Sequence, residues 1–305
     1  MNKDTIRKTI KQTIPFAIRV EFRRFNGKEN YLRYKKNYLE AKRIIDFLKI
    51  ELKKKDDAEK QQVVKFLKKR GMTIYPYDFI DEYDEKNIEV FVDYDCGMNY
   101  VLYENKRLYF PRKMEVGAIK GMYNALLKEQ DINSPHRYLT EKFQVRNNDI
   151  VADVGAAEGL FSLMIIDKAK EIHLFECKPY WIEALEKTFE PWKEKIKIIN
   201  KYVSDISDET NITLDKYFGT KEVNFIKADI EGTELSMLKG ADSILQKENL
   251  KLVLCTYHKQ NDAEELSKVL TEKGFATEFS KGYMLFFLDK LVPPYLRRGL
   301  VRATR

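Results

Sequence analysis

From Asp149 onward, short apolar runs alternate with longer amphipathic stretches. "DIVADV" predicts a strand, with a helix from Glu158. "EIHLFE" predicts a second strand, with a helix through "YWIEALEKTF". "IKIINKYVS" predicts a third strand. "VNFIKADI" predicts a fourth, followed by the helix "TELSMLKGADSILQ". "KLVLCTY" predicts a fifth, followed by the helix "DAEELSKVLTEKG". Strands alternating with helices build a parallel sheet with right-handed crossovers. The last runs, "ATEFSK" and "YMLFFL", lie close together and predict a hairpin, so one edge strand should run antiparallel.

The first half has another rhythm. In "KKNYLEAKRIIDFLKIELKKKDDAEKQQVVKFLKKRG", Leu39, Ile44, Phe47, Leu48 and Leu52 stand near helical spacing, and Gly71 is a helix stop. "NIEVFVDYD" and "MNYVLYENKRLYFP" alternate aromatic or β-branched residues with polar ones around Gly97 and "ENK", which predicts a small antiparallel meander. One or two short helices are expected around Pro135. Four regions result: a basic helical arm (1–71), a mixed accessory region (72–134), an α/β domain (135–290) and a basic tail (291–305).

Charge sharpens this division. Residues 1–70 hold 22 Lys and Arg against 9 Asp and Glu, a net of +13, whereas the whole chain is +7. Basic arms seek phosphates on nucleic acid, anionic lipid or carriers, so peripheral contact of residues 1–70 with an anionic membrane is expected beside the plainer reading of a solvated helix. No apolar run approaches the ~18–20 residues of a membrane span. The basic N-terminus, broken by Pro15, does not read as a signal peptide. Three scattered cysteines fit neither a disulfide framework nor a paired metal motif, and a cytoplasmic protein is expected.

The loop "VADVGAAEGL" carries Asp153, Gly155, Ala156 and Gly159 between a strand and a helix. No Gly-Lys-Ser/Thr follows to make a phosphate loop. Asp153 stands where the dinucleotide fingerprint has its first glycine, and a carboxylate sits badly against a pyrophosphate. It suits a cationic cofactor without phosphate, of which S-adenosylmethionine is the common case. Glu176 ends the second strand, 21 residues past Gly155, where an acidic side chain accepts from ribose hydroxyls. Ser204 and Asp205 end the third strand and would meet the adenine. These polar positions fall at successive strand ends, where open sheets bind ligands.

"DVGAAEGLFSL", "HLFECKPYWIEAL", "NKYVSD", "FIKADIEGTELSMLKGA" and "CTYHKQNDAEEL" resemble the FkbM family of methyltransferases over about residues 135–290. The resemblance implies a Rossmann-like class I methyltransferase sheet, mostly parallel with an antiparallel edge strand. It also implies S-adenosylmethionine-dependent O-methylation, often of sugars in glycans, and hence a saccharide or glycan-carrier acceptor. Residues 1–134 carry no family motif, and acceptor choice is expected to lie there.

Methyl transfer is an in-line displacement, so positioning matters most, and a general base helps a hydroxyl attack. "ADIEGTE" places Asp229 at the end of the fourth strand, with Glu231 two residues on and Glu234 opening a helix. Asp229 is expected beside both cofactor and acceptor. His258, in the loop after the fifth strand, is expected as base or acceptor contact, and His136 as an acceptor-side contact closing over the methionine end. His173 reads as a packed strand residue. Asp229, Glu231 and His258 also have the composition of a divalent-metal site, although metal-free base catalysis is preferred. The aromatics Tyr100, Tyr103, Tyr109, Tyr123, Tyr138 and Trp181 read mostly as core. A nucleic-acid methyltransferase using the basic arm and a non-catalytic scaffold stand as alternatives.

Overall fold

The computed structural model describes residues 28–287 and 291–305, so the part of the expected arm in residues 1–27 lies outside the described residues. The chain forms two compact units. One comprises residues 1–82, 133–135 and 281–299, the other residues 83–132, 136–280 and 300–305.

In the first unit, α1 (Lys28–Lys54) and α2 (Ala58–Arg70) are separated by a capped break. The Asp57 carboxylate accepts from the Lys60 amide at 3.0 Å, satisfying one of the free amides at the start of α2. Gly71 (φ +83°) ends α2 with a backbone shape that costs other residues energy. Ile44, Ile45 and Leu48 of α1 bury against Val63, Val64 and Leu67 of α2, and Leu285, Tyr295 and Leu296 complete the cluster. Of the spaced apolar residues of the arm, Ile44, Phe47, Leu48 and Leu52 form a packing face, whereas Leu39 is exposed. Among the described residues no helix is long and apolar enough to cross a membrane.

The second unit begins with an antiparallel sheet of β1 (Phe91–Asp93), β2 (Met98–Tyr103) and β3 (Lys106–Tyr109). Glu104 and Asn105 both take positive φ (47° and 67°), giving the tight two-residue turn that matches strand twist. Then come α3 (Val116–Glu129), β4 (Ile150–Val154), α4 (Leu160–Ile165), β5 (Glu171–Phe175), α5 (Pro179–Phe189) and β6 (Ile196–Ile199). A small parallel pair, β7 (Tyr202–Val203) and β8 (Asn211–Ile212), precedes α6 (Leu214–Phe218). The last elements are β9 (Phe225–Ala228), α7 (Glu234–Lys239), β10 (Lys251–Cys255), α8 (Asp262–Glu272), β11 (Ala276–Phe279) and β12 (Leu300–Thr304).

The main sheet has seven strands in the order β11-β12-β10-β9-β4-β5-β6. The chain winds outward from β4 in one direction and from β9 in the other. Crevices at such a reversal, outside the strand carboxyl ends, are where open α/β sheets take ligands. The strand cores are apolar on both faces because helices cover both. Val151, Leu174 and Val253 point into one cluster, and Ala152, Phe175 and Leu252 into the other.

The expected closing hairpin differs. "YMLFFL" does not pair with β11; Leu285 is buried in the first unit's cluster instead. The partner of β11 is β12, from the segment read as a basic tail, with Phe279 opposite Val301. β12 is antiparallel to both neighbours and lies one strand in from the edge, while β11 is the edge. Arg302 disguised this strand in the sequence. Its guanidinium is buried and donates to the carbonyl oxygens of Tyr138 (3.1 Å) and Arg137, which compensates a charge inside a sheet.

Candidate active site

Two tight turns meet at the reversal point. Gly155, after β4, has φ +75°, and a Cβ added to it would stand 2.1 Å from the Asp229 carbonyl oxygen after β9. The two backbones touch, so only glycine fits. The Gly155 and Ala156 amides both donate to the Phe175 carbonyl, at 3.0 and 3.1 Å, which ties the loop to the end of β5. Gly159 (φ +85°) lies under Leu185, whose Cδ2 a Cβ would approach to 2.7 Å.

Asp153 is fully buried at the end of β4. It accepts from Ser162 Oγ at 2.7 Å and pairs with Lys227 Nζ at 3.0 Å. Lys227 Nζ also donates to the Gly155 carbonyl at 2.7 Å. Burial works against the Lys227 charge, but Asp153 and Asp229 outweigh it and hold the ammonium above its ordinary value. The Asp153 charge is therefore spent on Lys227, and its effect on a ligand acts through the shape of the glycine loop. Lys227 was passed over in the sequence, although a lysine inside the apolar strand "FIKA" signals a buried partner.

Glu176, just after β5 and 6% exposed, accepts from the Ala157 amide at 2.9 Å and the Lys178 amide at 2.8 Å. A carboxylate has about four acceptor sites, so capacity for hydroxyl donors remains. After β7, Asp205 accepts from Ser236 Oγ at 2.8 Å, which lowers its pKa, and Ser204 Oγ donates to the Ile206 carbonyl at 3.2 Å. Glu158, within the glycine loop, is a further carboxyl that sequence reasoning left aside. Burial pushes it up to about 7, against the opposing pull of its own and the Leu160 amides.

Asp229 is the most engaged carboxylate of the site. Tyr138 OH donates to Oδ2 at 3.0 Å and Tyr257 OH to Oδ1 at 3.2 Å. His258 Nε2 lies 3.3 Å from Oδ1, and His136 Nε2 lies 3.7 Å from Oδ2. Burial disfavours the Asp229 charge, but the His258 hydrogen bond and the surrounding cations hold its pKa well below the usual carboxylate range. The His136 ring is almost wholly buried and stacks edgewise near Tyr138, with its Nε2 3.6 Å from Cys255 Sγ. Burial lowers its pKa to about 4, so it is neutral at physiological pH.

His258 is the opposite case. Its Nε2 faces Asp229, and its Nδ1 lies 3.1 Å from Glu234 Oε1. Burial works to lower its pKa, but the hydrogen bonds and charges of Asp229 and Glu234 push it up to about 10. The sequence reading gave His258 an ordinary imidazole that takes a proton near neutral pH. In this setting it already carries one. Glu231 lies at the margin, 85% exposed in its side chain and 3.8 Å from His258 Nε2, with φ +55°. Glu234 opens α7 as expected and is buried inside the cluster. His173 packs in β5 against Phe218, with Nδ1 2.8 Å from Tyr217 OH.

Donor atoms of Asp229, Glu234 and His258 lie within 4.8 Å of one another, as do those of His136, Asp229 and Cys255. Glu231 belongs to neither group. In the first group Glu234 Oε1 accepts from the Ile230 amide, while the buried Glu234 Oε2 has no hydrogen-bond partner among the described residues.

This sheet order, with a glycine loop after β4 and an acidic turn after β9, is that of a Rossmann-like class I methyltransferase. Residues 201–277 match the family model described as the Methyltransferase FkbM domain, so the resemblance carried by the motifs is borne out. Over 180 residues the chain is 27% identical to the hexuronic acid methyltransferase AglP of Haloferax volcanii, an alignment covering 50% of this chain and 72% of that protein. Among solved structures it is similar to a methyltransferase FkbM from Methylobacillus flagellatus (17% identity, TM-score 0.44), over 62% of this chain and only 53% of the other. It is also similar to an rRNA methylase from Streptococcus thermophilus (14% identity, TM-score 0.39), over 53% of this chain and 89% of the other.

Proposed function

We propose that the protein moves a methyl group from S-adenosylmethionine to an oxygen of a saccharide, in the first instance a hydroxyl. One observation carries this reading: Asp229, held by Tyr138, Tyr257 and His258, sits in backbone contact with the glycine loop. The family match and the hexuronic acid methyltransferase relative support it.

The residues suit the cofactor. The Gly155–Gly159 loop would pass under the methionine, Glu176 would take the ribose hydroxyls, and Ser204 and Asp205 would meet the adenine. The cofactor supplies a methyl carbon already activated by its sulfonium. Tyr138 and Tyr257 fix both oxygens of Asp229, so this carboxylate is a preset acceptor for the hydroxyl proton. An acceptor oxygen that takes the methyl group becomes strongly acidic, so Asp229, even as a carboxylate of low basicity, would take its proton. Glu231, exposed at the rim, and His136, buried behind Asp229, would shape the acceptor side.

The basic arm is the reading's membrane element. Leu32, Leu39 and Ile50 of α1 are 52%, 53% and 57% exposed. At 100° per residue they fall within about 20° of one line along the helix, opposite the packed Ile44–Leu48 side and among lysines. Such a stripe suits a peripheral contact with anionic lipid.

Calorimetry with S-adenosylmethionine, then transfer of a tritiated methyl from it to hexuronic acid glycosides, tests the proposal. Nanomolar-to-micromolar binding with label in the glycoside supports it. No binding by the intact chain sinks it in favour of a scaffold, and label found in RNA or DNA and abolished by nuclease favours the nucleic-acid alternative.

A further inference from the structure

The acidic turn "DIEGTE" holds three carboxylates that do three different things. Asp229 faces the tyrosines, Glu231 faces solvent, and Glu234 turns back into the protein from the first turn of α7. Glu234 is 1% exposed. Its Oε1 accepts from the Ile230 amide at 3.0 Å, so it braces the turn that presents Asp229. The same oxygen lies 3.1 Å from His258 Nδ1. Across the ring, His258 Nε2 lies 3.3 Å from Asp229 Oδ1. The imidazole therefore sits between two carboxylates, one at each nitrogen. A second tie joins the same elements, from Lys259 Nζ to the Gly232 carbonyl.

The energetics point one way. A buried carboxylate with a single amide donor is costly unless a cation neutralises it. His258 is the cation in reach of Glu234, and a neutral ring can donate from only one nitrogen. With a carboxylate oxygen within 3.3 Å of each nitrogen, the doubly protonated ring is the form whose charge faces both carboxylates.

We propose that Glu234 is a positioning residue, which holds the His258 ring as the fixed counter-charge of Asp229. This rests on the methyl-transfer reading, in which Asp229 takes the acceptor proton. Glu234 then sets both the angle of the turn bearing Asp229 and the charge that keeps Asp229 ionised until the proton arrives. His258 is not the base. It keeps its proton throughout, and its charge favours release of the acceptor proton from Asp229, 22% exposed in its side chain, to solvent after each turnover.

The chain has three histidines, His136, His173 and His258, so its imidazole nitrogens can be resolved by long-range proton–nitrogen spectroscopy of the full-length labelled protein. His258→Gln assigns the signal. At about pH 8 the wild-type His258 ring should be protonated on both nitrogens, above the range of an ordinary histidine. Glu234→Gln should move its midpoint below that pH, and Glu234→Asp should restore part of the shift. An unchanged His258 midpoint in Glu234→Gln would overturn the proposal, because a brace for Ile230 alone leaves the ring untouched. So would a stoichiometric metal detected by elemental analysis whose chelation changes the His258 signal. If the wild-type chain fails to bind S-adenosylmethionine, the methyl-transfer reading falls while the ring measurement still decides the role of Glu234.

Discussion

Lys227 Nζ stands 3.0 Å from Asp153 Oδ1, and both side chains are at most a few per cent exposed. This pair couples β9 to β4 beneath the glycine loop. Removing one partner of a buried pair leaves an uncompensated charge and costs about 3–5 kcal/mol. Lys227→Met should therefore lower the unfolding free energy by that order and weaken S-adenosylmethionine binding. Combining it with Asp153→Asn should recover part of the loss. Chemical denaturation of the three variants gives the coupling, and strictly additive losses would count against the pair.

Gly155 and Gly219 separate backbone strain from steric conflict. Both have positive φ, but a Cβ at Gly219 meets nothing within 4 Å, whereas one at Gly155 overlaps the Asp229 carbonyl. Gly219→Ala should cost about 1–3 kcal/mol from backbone strain alone, because φ +52° with ψ −116° lies outside the left-handed helical well. Gly155→Ala should cost more and abolish cofactor binding. Equal melting temperatures for the two variants would refute the contact between the loops.

Glu176→Gln keeps the shape of the side chain and removes its charge. Hydrogen bonds to charged groups contribute about 1.5–3 kcal/mol, so S-adenosylmethionine affinity should fall roughly ten- to hundred-fold. Calorimetry checks this, and an unchanged dissociation constant would remove Glu176 from the ribose site.

The histidines predict a stability maximum near neutral pH. His258 has its folded pKa raised to about 10, so its contribution is complete below the unfolded value of 6.5 and is lost as pH rises through 10. His136 is depressed to about 4, so its contribution is present above 6.5 and is lost as pH falls toward 4. His173, also at about 4, adds to the acid side. The groups around His258 are Asp229, Glu231, Glu234, His136, Tyr257, Lys259 and Asp262. Melting temperature should decline from pH 7 to 10 in the wild type and much less in His258→Gln. Parallel curves would contradict the clamped ring.

Vesicle sedimentation tests the α1 stripe. Binding to vesicles containing phosphatidylglycerol should exceed binding to phosphatidylcholine alone and fall with salt. The triple change of Leu32, Leu39 and Ile50 to Gln should reduce it without lowering the melting temperature, since these side chains are exposed.

The sheet was legible because each strand is a short apolar run closed by polar residues, and those polar ends are where a site forms. Glu176 and Asp229 follow β5 and β9, and Asp153 is the penultimate residue of β4, as periodicity predicts; Asp205 was expected at the end of one strand, "IKIINKYVS", but the structure splits it into β6 and β7, and β7 pairs with β8 outside the main sheet. What was not legible depends on distance across the sheet. Lys227 looks like an oddity in a strand until Asp153 is seen beside it. Glu234 looks like no more than a helix-opening charge until its burial beside His258 is known. Leu300–Thr304 looked like a tail because nothing in the local pattern reveals that two distant carbonyls receive Arg302.

The late arrival of β12 has a further consequence. The chain leaves the sheet after Ser280 and re-enters it at Leu300, and the Ser280 amide donates to the Leu300 carbonyl at 3.0 Å. The intervening residues 281–299 belong to the other unit. The excursion is thus a hairpin whose ends are already closed, and the cost of closing a loop grows only slowly with its length. Its length can change without altering the register of β11 and β12, while Leu285, Tyr295 and Leu296 stay fixed by the core of the first unit.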